Sequence, residues 1–170
     1  MFKTSAFYPS PIGTILIECT DEFISAILFA DKQNDLKNED LDIKESVKNN
    51  GLINKCQQQL KEYFEGSRRE FDIPFQQTVT AFQQKIWSAL VQIPYGKTLS
   101  YQELSKRTGD VKAIRAVGTT NGKNQLSIVV PCHRVVGGNG DLTGYSGGLW
   151  RKKWLLEHEG KFANGVQTLF

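Results

Sequence analysis

Cys132 and His133 are adjacent in the segment Pro131-Cys132-His133-Arg134, where they could act as a nucleophile and its base. A thiol becomes a strong nucleophile when it loses its proton, and an imidazole can take that proton directly or through a water molecule. Consecutive side chains of a strand point to opposite faces, so this pair can cooperate only if the chain turns. Pro131 and the glycines after Val136 favour a turn. The alternative for an isolated cysteine is a buried structural thiol.

The other cysteines and the second histidine form no metal-site spacing with this pair. Cys19 and Cys56 are distant in sequence, and His158 lies near the C-terminus. Three cysteines without paired spacing argue against a disulfide scaffold and favour a reducing compartment. We therefore expect no metal ion, and we interpret Cys56 as structural because it falls on the apolar stripe of a predicted helix.

Composition is that of an ordinary globular protein, with 170 residues and a net charge of +3. The sequence lacks an apolar stretch of about 18 residues and begins without the apolar segment of a secretion signal. We expect a cytoplasmic protein without membrane association. Lys and Arg outnumber Asp and Glu over residues 107–161, which suits a phosphate-bearing partner or a solvated surface.

The N-terminal part combines strand and helix patterns. Apolar runs at 15–17 and 23–29 flank a polar turn and predict an antiparallel pair. Residues 31–50 are polar and predict a surface loop or a frayed helix. Apolar residues at helical spacing predict a helix over 52–64, which Gly66 ends.

The elements around Cys132 are mainly helical. Capping-box patterns at 80–83 and 100–103 predict two helix starts, the first helix ending at Pro94 and the second near Gly109. A further helix over 111–120 would complete a helix-turn-helix. We predict a two-domain α+β protein: a small N-terminal antiparallel sheet with a helix (1–77), a mainly helical C-terminal domain with a helix-turn-helix and a short strand leading to Cys132 (78–162), and a C-terminal tail (163–170).

Six blocks of residues around Cys132 closely resemble the O6-alkylguanine-DNA alkyltransferases, also called methylated-DNA–protein-cysteine methyltransferases. Their order and spacing both agree with that family. The blocks are Ser100-Tyr101-Gln102, Arg115-Ala116-Val117-Gly118, Asn121-Gly122-Lys123-Asn124, Ile128-Val129-Val130-Pro131-Cys132-His133-Arg134-Val135, Gly144-Tyr145-Ser146-Gly147-Gly148 and Trp154-Leu155-Leu156-Glu157-His158-Glu159-Gly160. The resemblance is strong over about half of the chain, and residues 1–77 match only in size and element order.

The resemblance implies direct repair of DNA. Cys132 would attack the alkyl carbon on O6 of guanine and would keep the group as a thioether. A further candidate substrate is O4-alkylthymine. The transfer would be irreversible, stoichiometric and independent of a cofactor. His133 would be the base, acting through a water, Glu159 would orient its ring, and Tyr101 would donate to the departing base. Without the resemblance, Glu159 would be interpreted as solvent-exposed.

Substrate and DNA contacts are also implied by the resemblance. The backbone carbonyls of Cys132 and Val135 would read the exocyclic amine, the Ser146 amide would bond O6, and Tyr145 would line the alkyl pocket. The implied substrate-binding positions are Asn124, Val135, Tyr145, Ser146 and Gly147. The implied DNA-binding positions are Tyr101, Gln102 and Arg115. Arg115 would replace a base flipped out through the minor groove, and the partner would be double-stranded DNA, bound by a monomer without an obligate protein partner.

Two departures and three alternatives accompany this interpretation. Gln125 stands where many relatives carry proline, and the zinc ligands of some relatives' N-terminal domains are missing. The first alternative is a non-catalytic alkyltransferase-like protein that binds the lesion, although such proteins typically replace the reactive cysteine with tryptophan. The second is a thiol hydrolase. The third is a DNA-binding domain with an inert cysteine.

Overall fold

The computed structural model describes residues 3–30 and 50–164. The chain divides into two compact units, Met1–Gln77 and Thr78–Phe170. The N-terminal unit carries a small antiparallel sheet with a helix, and the second unit is mainly helical, as predicted. The polar segment predicted as a loop or frayed helix lies outside the described residues, except for Asn50.

The N-terminal sheet contains three antiparallel strands, β1 (Thr4–Ser10), β2 (Gly13–Cys19) and β3 (Ile24–Phe29). The predicted pair corresponds to β2 and β3, and Thr20 forms their turn by accepting hydrogen bonds from the amides of Glu22 and Phe23. The prediction missed β1, because that strand is only half-buried along most of its length and lacks a clear apolar run.

Helix α1 (Gly51–Glu65) packs on β1 and β2. Asn50 caps its first turn by accepting a hydrogen bond from the Ile53 amide at 3.0 Å. Gly66 ends it with a φ of 86°, the left-handed conformation that glycine adopts most readily. Cys56 is fully buried on the inner face, as the spacing predicted.

In the C-terminal unit, α2 (Ala81–Leu90) begins at Thr80 with a complete capping box formed with Gln83. It ends at Leu90 rather than at Pro94, because Val91 and the residues after it form tight turns. Its inner face consists of Ile86, Trp87 and Leu90, whereas Phe82 in the first turn is exposed.

A two-residue strand, β4 (Leu99–Ser100), leads into the helix-turn-helix. Helix α3 (Tyr101–Arg107) begins at Ser100, whose hydroxyl accepts from the Glu103 amide at 3.0 Å. A single 3-10 turn (Val111–Ala113) then starts the second helix, α4 (Ile114–Gly122), which packs against α3. The structure therefore contains the predicted helix-turn-helix.

The predicted strand leading to Cys132 is wrong in detail. Leu126 forms only an isolated bridge, residues 127–129 form a tight turn, and Ile128 has a φ of 73°, which is uncommon for a β-branched residue. The buried Asn124 side chain causes this by accepting from the Leu126 amide and donating to the Leu126 and Val130 carbonyls. These local bonds replace a strand ladder and override the strand propensity of the run.

Residues 131–134 lie between these turns and a short strand. Cys132–Arg134 forms a 3-10 turn, and β5 (Val135–Val136) then pairs in parallel with β4. The last helix, α5 (Leu149–Ala163), follows a loop closed by Gly148. No helix among the described residues is long and apolar enough to cross a membrane.

Candidate active site

Cys132 lies in the 3-10 turn and is 3% exposed. Its Sγ atom is 3.4 Å from the Asn124 amide nitrogen, which donates to it. Its carbonyl accepts from the Asn121 side chain at 3.2 Å and from the Val135 amide. The turn predicted from Pro131 is therefore present, and asparagines from α4 and the segment after it hold both the backbone and the thiol.

His133 and Glu159 form a buried pair. Nε2 of His133 is 2.7 Å from Oε1 of Glu159, and both residues are fully buried. The other ring nitrogen, Nδ1, is buried and has no hydrogen-bond partner among the described residues. Glu159 therefore orients the ring through one nitrogen and leaves the other available to exchange a proton.

Arg134 completes this cluster. Its Nε donates to Oε2 of Glu159 at 2.8 Å, a second nitrogen donates to Oε1 at 3.0 Å, and a third donates to the Ile93 carbonyl at 2.7 Å. A two-point bond between guanidinium and carboxylate is among the stronger charge-assisted interactions. Glu159 is consequently held by two neighbours that follow Cys132 in sequence.

The pKa values in this cluster diverge. Burial raises the pKa of the Cys132 thiol, and the Asn124 hydrogen bond and the Lys152 charge offset part of that rise. Burial alone would raise the pKa of Glu159 as well, but His133 and Arg134 lower it well below its ordinary range. The thiol therefore keeps its proton at neutral pH while the carboxylate is ionised.

Tyr101 and Lys152 converge on one backbone carbonyl. The Tyr101 hydroxyl donates to the Thr143 carbonyl at 3.1 Å, and Lys152 Nζ donates to the same oxygen at 2.9 Å and to the Gly144 carbonyl at 3.2 Å. Burial lowers the pKa of Lys152 to about 8 and raises that of Tyr101. These contacts anchor the loop that follows β5.

The predicted pocket residues lie on that loop and at β5. Val135 is fully buried, Gly147 is buried and Ser146 is exposed. The hydroxyl of Tyr145 is buried, and burial raises its pKa well above the ordinary value, with a further rise from the nearby Cys132. The loop therefore places an aromatic side chain near the thiol.

The predicted DNA-binding residues lie elsewhere, on the outer faces of the helix-turn-helix. Gln102 is exposed in the first turn of α3, and Arg115 is exposed in the first turn of α4. Tyr101, the first residue of α3, is half-buried, and its hydroxyl donates to the Thr143 carbonyl. Exposed Val111 and Ile114 flank the start of α4.

Sequence reasoning assigned no role to Arg134, Lys152 or Asn121, and it gave Asn124 no contact with the thiol. All four lie in or beside the matching blocks, so their positions were visible but their partners were not. A usable signal was the run of cations at 151–153 in the first turn of a helix that must bury one face. Among residues 3–30 and 50–164, no cluster of His, Cys, Asp or Glu could hold a metal ion.

Comparison with known proteins shows the family of this chain. Residues 4–77 match the family model described as 6-O-methylguanine DNA methyltransferase, ribonuclease-like domain, and residues 81–161 match the DNA binding domain of the same class. A methylated-DNA–protein-cysteine methyltransferase of Methanosarcina acetivorans is 41% identical, covering 91% of this chain and 97% of that protein. A constitutive one of Bacillus subtilis is 42% identical, covering 86% and 88%.

Solved structures agree as well. The Mycobacterium tuberculosis O6-methylguanine methyltransferase has a TM-score of 0.81 at 36% identity, covering 99% of each chain. The same protein in complex with DNA has a TM-score of 0.78 at 35% identity, covering 98% of this chain and 96% of that one. The present chain belongs to the family of methylated-DNA–protein-cysteine methyltransferases.

Proposed function

We propose that this protein repairs DNA by transferring the alkyl group of O6-alkylguanine to Cys132. The observation that carries the proposal is the buried Cys132 turn with the His133–Glu159 pair, 2.7 Å apart, in a chain of this family. A further substrate in the proposal is O4-alkylthymine, which presents the same kind of alkyl–oxygen bond.

The proposed step is an in-line displacement. His133 takes the thiol proton through a water molecule, a sulfur lone pair of Cys132 attacks the alkyl carbon, and the carbon–O6 bond breaks with its electron pair moving to the guanine. A proton donated by Tyr101 neutralises the departing base. The Tyr101 phenolate then regains a proton through water from the His133 imidazolium, so that the net reaction moves the thiol proton to guanine. The product is a thioether, which water does not cleave, so each chain acts once. The balance requires no cofactor.

The raised pKa of Cys132 supports a base that acts during the reaction. A protonated thiol is a weak nucleophile, so its proton must leave as the substrate reacts. Nδ1 of His133 can accept it, since Nε2 already contacts Glu159. The imidazolium then gains the ionised carboxylate as its counter-charge.

Tyr101 can act as the proton donor if its hydroxyl changes its hydrogen-bond acceptor. Its raised pKa keeps the hydroxyl protonated, so it remains a donor. Its present acceptor is the Thr143 carbonyl, so the hydroxyl must leave that oxygen to reach the guanine ring. Val135 and the loop with Tyr145, Ser146 and Gly147 then surround the base and its alkyl group, and Asn124 holds the thiol.

The exposed helix-turn-helix supports double-stranded DNA as the partner. A guanine inside the stack cannot reach a buried thiol, so the nucleotide must rotate out at a cost of a few kcal/mol. We assign Arg115 to the place of the flipped base and Gln102 to the neighbouring backbone, with the helix in the minor groove. In this proposal residues 78–162 carry the reaction and bind DNA as a monomer in the cytoplasm, without an obligate protein partner. We give no role to residues 1–77 or 163–170.

The alternatives are less well supported. A lesion-binding protein without transfer has no use for a thiol beside an oriented histidine. A thiol hydrolase leaves the exposed Arg115 unexplained, and an inert cysteine leaves the buried His133–Glu159–Arg134 cluster unexplained.

The test is transfer from duplex DNA that carries O6-[methyl-³H]guanine. We expect at most one label per chain, located on Cys132 by peptide mass spectrometry. Label on another residue, many turnovers per chain or no transfer would contradict the proposal.

A further inference from the structure

Trp150 and Arg151 connect the start of α5 to the loop that carries Tyr145. The Arg151 guanidinium lies over the Trp150 ring, 4.5 Å from its centroid, and donates to the Gly147 carbonyl at 2.9 Å. Arg151 is 3% exposed and Trp150 is 56% exposed. One buried cation therefore contacts both an aromatic ring and the backbone of the loop.

The Trp150 ring also lies over the position that a side chain at Gly148 would occupy. A Cβ atom added to Gly148 would lie 3.2 Å from Cδ1 and 3.3 Å from Nε1 of Trp150. Gly148 has a φ of 95°, and its amide donates to the Tyr145 carbonyl at 2.9 Å. Glycine is needed here for its backbone conformation and for the close approach of the indole.

We propose that Trp150 and Arg151 are positioning residues that hold the pocket loop and thereby limit the size of the alkyl group that Cys132 accepts. The proposal rests on the proposed function. The Trp150 ring covers one side of Gly148. Arg151 links Gly147 to the same ring, because its guanidinium bonds the Gly147 carbonyl and lies over the indole. Together they restrain two consecutive glycines that would otherwise permit many backbone conformations.

The restraint matters because the loop carries the pocket wall. Tyr145 is close enough to Cys132 for the sulfur to influence its pKa, and Gly147 and Gly148 follow it directly. A displacement at carbon depends on alignment, and an error of about 1 Å can cost about 100-fold in rate. A methyl group makes few contacts of its own, so its alignment with Cys132 depends on the position of the pocket wall. A benzyl group is larger, so its reaction is limited by the width of the pocket.

The experiment compares single-turnover rates of Trp150→Ala and the unaltered protein on two duplexes, carrying O6-methylguanine or O6-benzylguanine, and on free O6-benzylguanine. We expect the methyl-to-benzyl rate ratio on duplex DNA to fall about three- to tenfold, since the methyl reaction loses alignment while the benzyl reaction gains space. Trp150→Phe keeps a ring over Gly148 and should retain most of the ratio.

Leu149→Ala is the matched control, because Leu149 is the neighbouring exposed residue, at 48%, and lies outside the Trp150–Arg151 contact. Its ratio should not change. Circular dichroism melting should show that all three variants are folded, as expected for substitutions at exposed positions.

Two results would overturn the proposal. One is a ratio for Trp150→Ala within about twofold of the unaltered protein, well below the loss that misalignment causes. The other is an equal loss on both duplexes with no change on free O6-benzylguanine, which would make Trp150 a DNA contact. Failure of the unaltered protein to transfer any label would instead contradict the proposed function.

Discussion

Cys56 in the N-terminal unit and Cys132 in the C-terminal unit are both buried, but their surroundings differ in kind. Cys56 lies on α1 in an apolar core, where burial raises its pKa to about 12. Cys132 receives a hydrogen bond from Asn124, is influenced by the Lys152 charge and is followed by His133. Burial protects both thiols, and only the second has groups that can remove a proton and stabilise the resulting charge.

Each unit also contains an arginine–glutamate ion pair, and the two pairs differ in burial. Arg68 and Glu62 meet at 3.0 Å in the N-terminal unit, where both side chains remain about one-quarter exposed. Arg134 and Glu159 meet at 2.8 Å and are almost completely buried. A surface pair contributes little, whereas a buried pair is costly to break.

The largest effect should separate the two cysteines. Cys132→Ser should reduce alkyl transfer by more than about 1,000-fold, because a hydroxyl is a far weaker nucleophile at neutral pH. Cys56→Ser should leave the extent of transfer per folded chain unchanged. Transfer of labelled methyl from duplex DNA measures both. Equal losses of methyl transfer in the two variants would contradict the assignment of Cys132, and not Cys56, as the acceptor.

The second effect concerns the buried pair. Glu159→Gln should slow transfer about 100-fold, because the base loses its orienting carboxylate, and should cost about 3–5 kcal/mol of unfolding free energy, because Arg134 is left buried without its counter-charge. Glu62→Gln is the control and should change neither quantity measurably. Single-turnover kinetics and urea unfolding provide the two measurements.

The stability cost of Glu159→Gln should also depend on pH. The pKa of Glu159 is lowered in the folded state, so its stabilisation is complete above the unfolded value of about 4.3 and is lost as the pH falls below it. Glutamine at this position has no such dependence. The stability difference between Glu159→Gln and the unaltered protein should therefore narrow on acidification from neutral pH to below about pH 4. A constant difference would mean that the carboxylate is not preferentially ionised in the folded state.

The third effect separates the chemistry from the DNA surface. Arg115→Ala should slow transfer from duplex DNA by about 10- to 100-fold, because the flipped nucleotide is no longer replaced in the stack. Reaction with free O6-benzylguanine should be unaffected. Lys123→Ala, an exposed substitution just past the end of α4, is the control. Equal losses of Arg115→Ala on both substrates would refute the role of Arg115 in flipping.

The smallest effect concerns the Asn124 anchor. Asn124→Ala removes bonds to the Val130 carbonyl and to Sγ of Cys132, and should cost about 1–3 kcal/mol because buried backbone groups lose their partners. The pKa of Cys132 should rise further. The pH dependence of transfer by the variant, relative to the unaltered protein, would measure the shift. An unchanged pH profile would show that the contact with sulfur has no electrostatic effect.

Local patterns predicted most elements correctly. The Thr80–Gln83 capping box and Gly66 are start and stop signals that depend on a few adjacent residues, and both are present. The same reasoning failed at 126–130, where a single buried asparagine bonds the backbone and replaces a strand with turns. It also missed β1, whose place depends on pairing with β2.

The sequence by itself determined the helix-turn-helix and the buried helix of Cys56, and it led to the proposal of Cys132 as the reactive cysteine. These rest on local spacing and on ordered blocks of residues, both of which are readable without coordinates. Only the tertiary structure decided that Glu159 is buried and bonds Arg134 as well as His133, that Lys152 and Tyr101 share the Thr143 carbonyl, and in which direction the pKa values of Cys132 and Glu159 shift. The reason is physical: a pKa depends on burial and on charges a few ångströms away, and folding brings those groups together from distant parts of the chain.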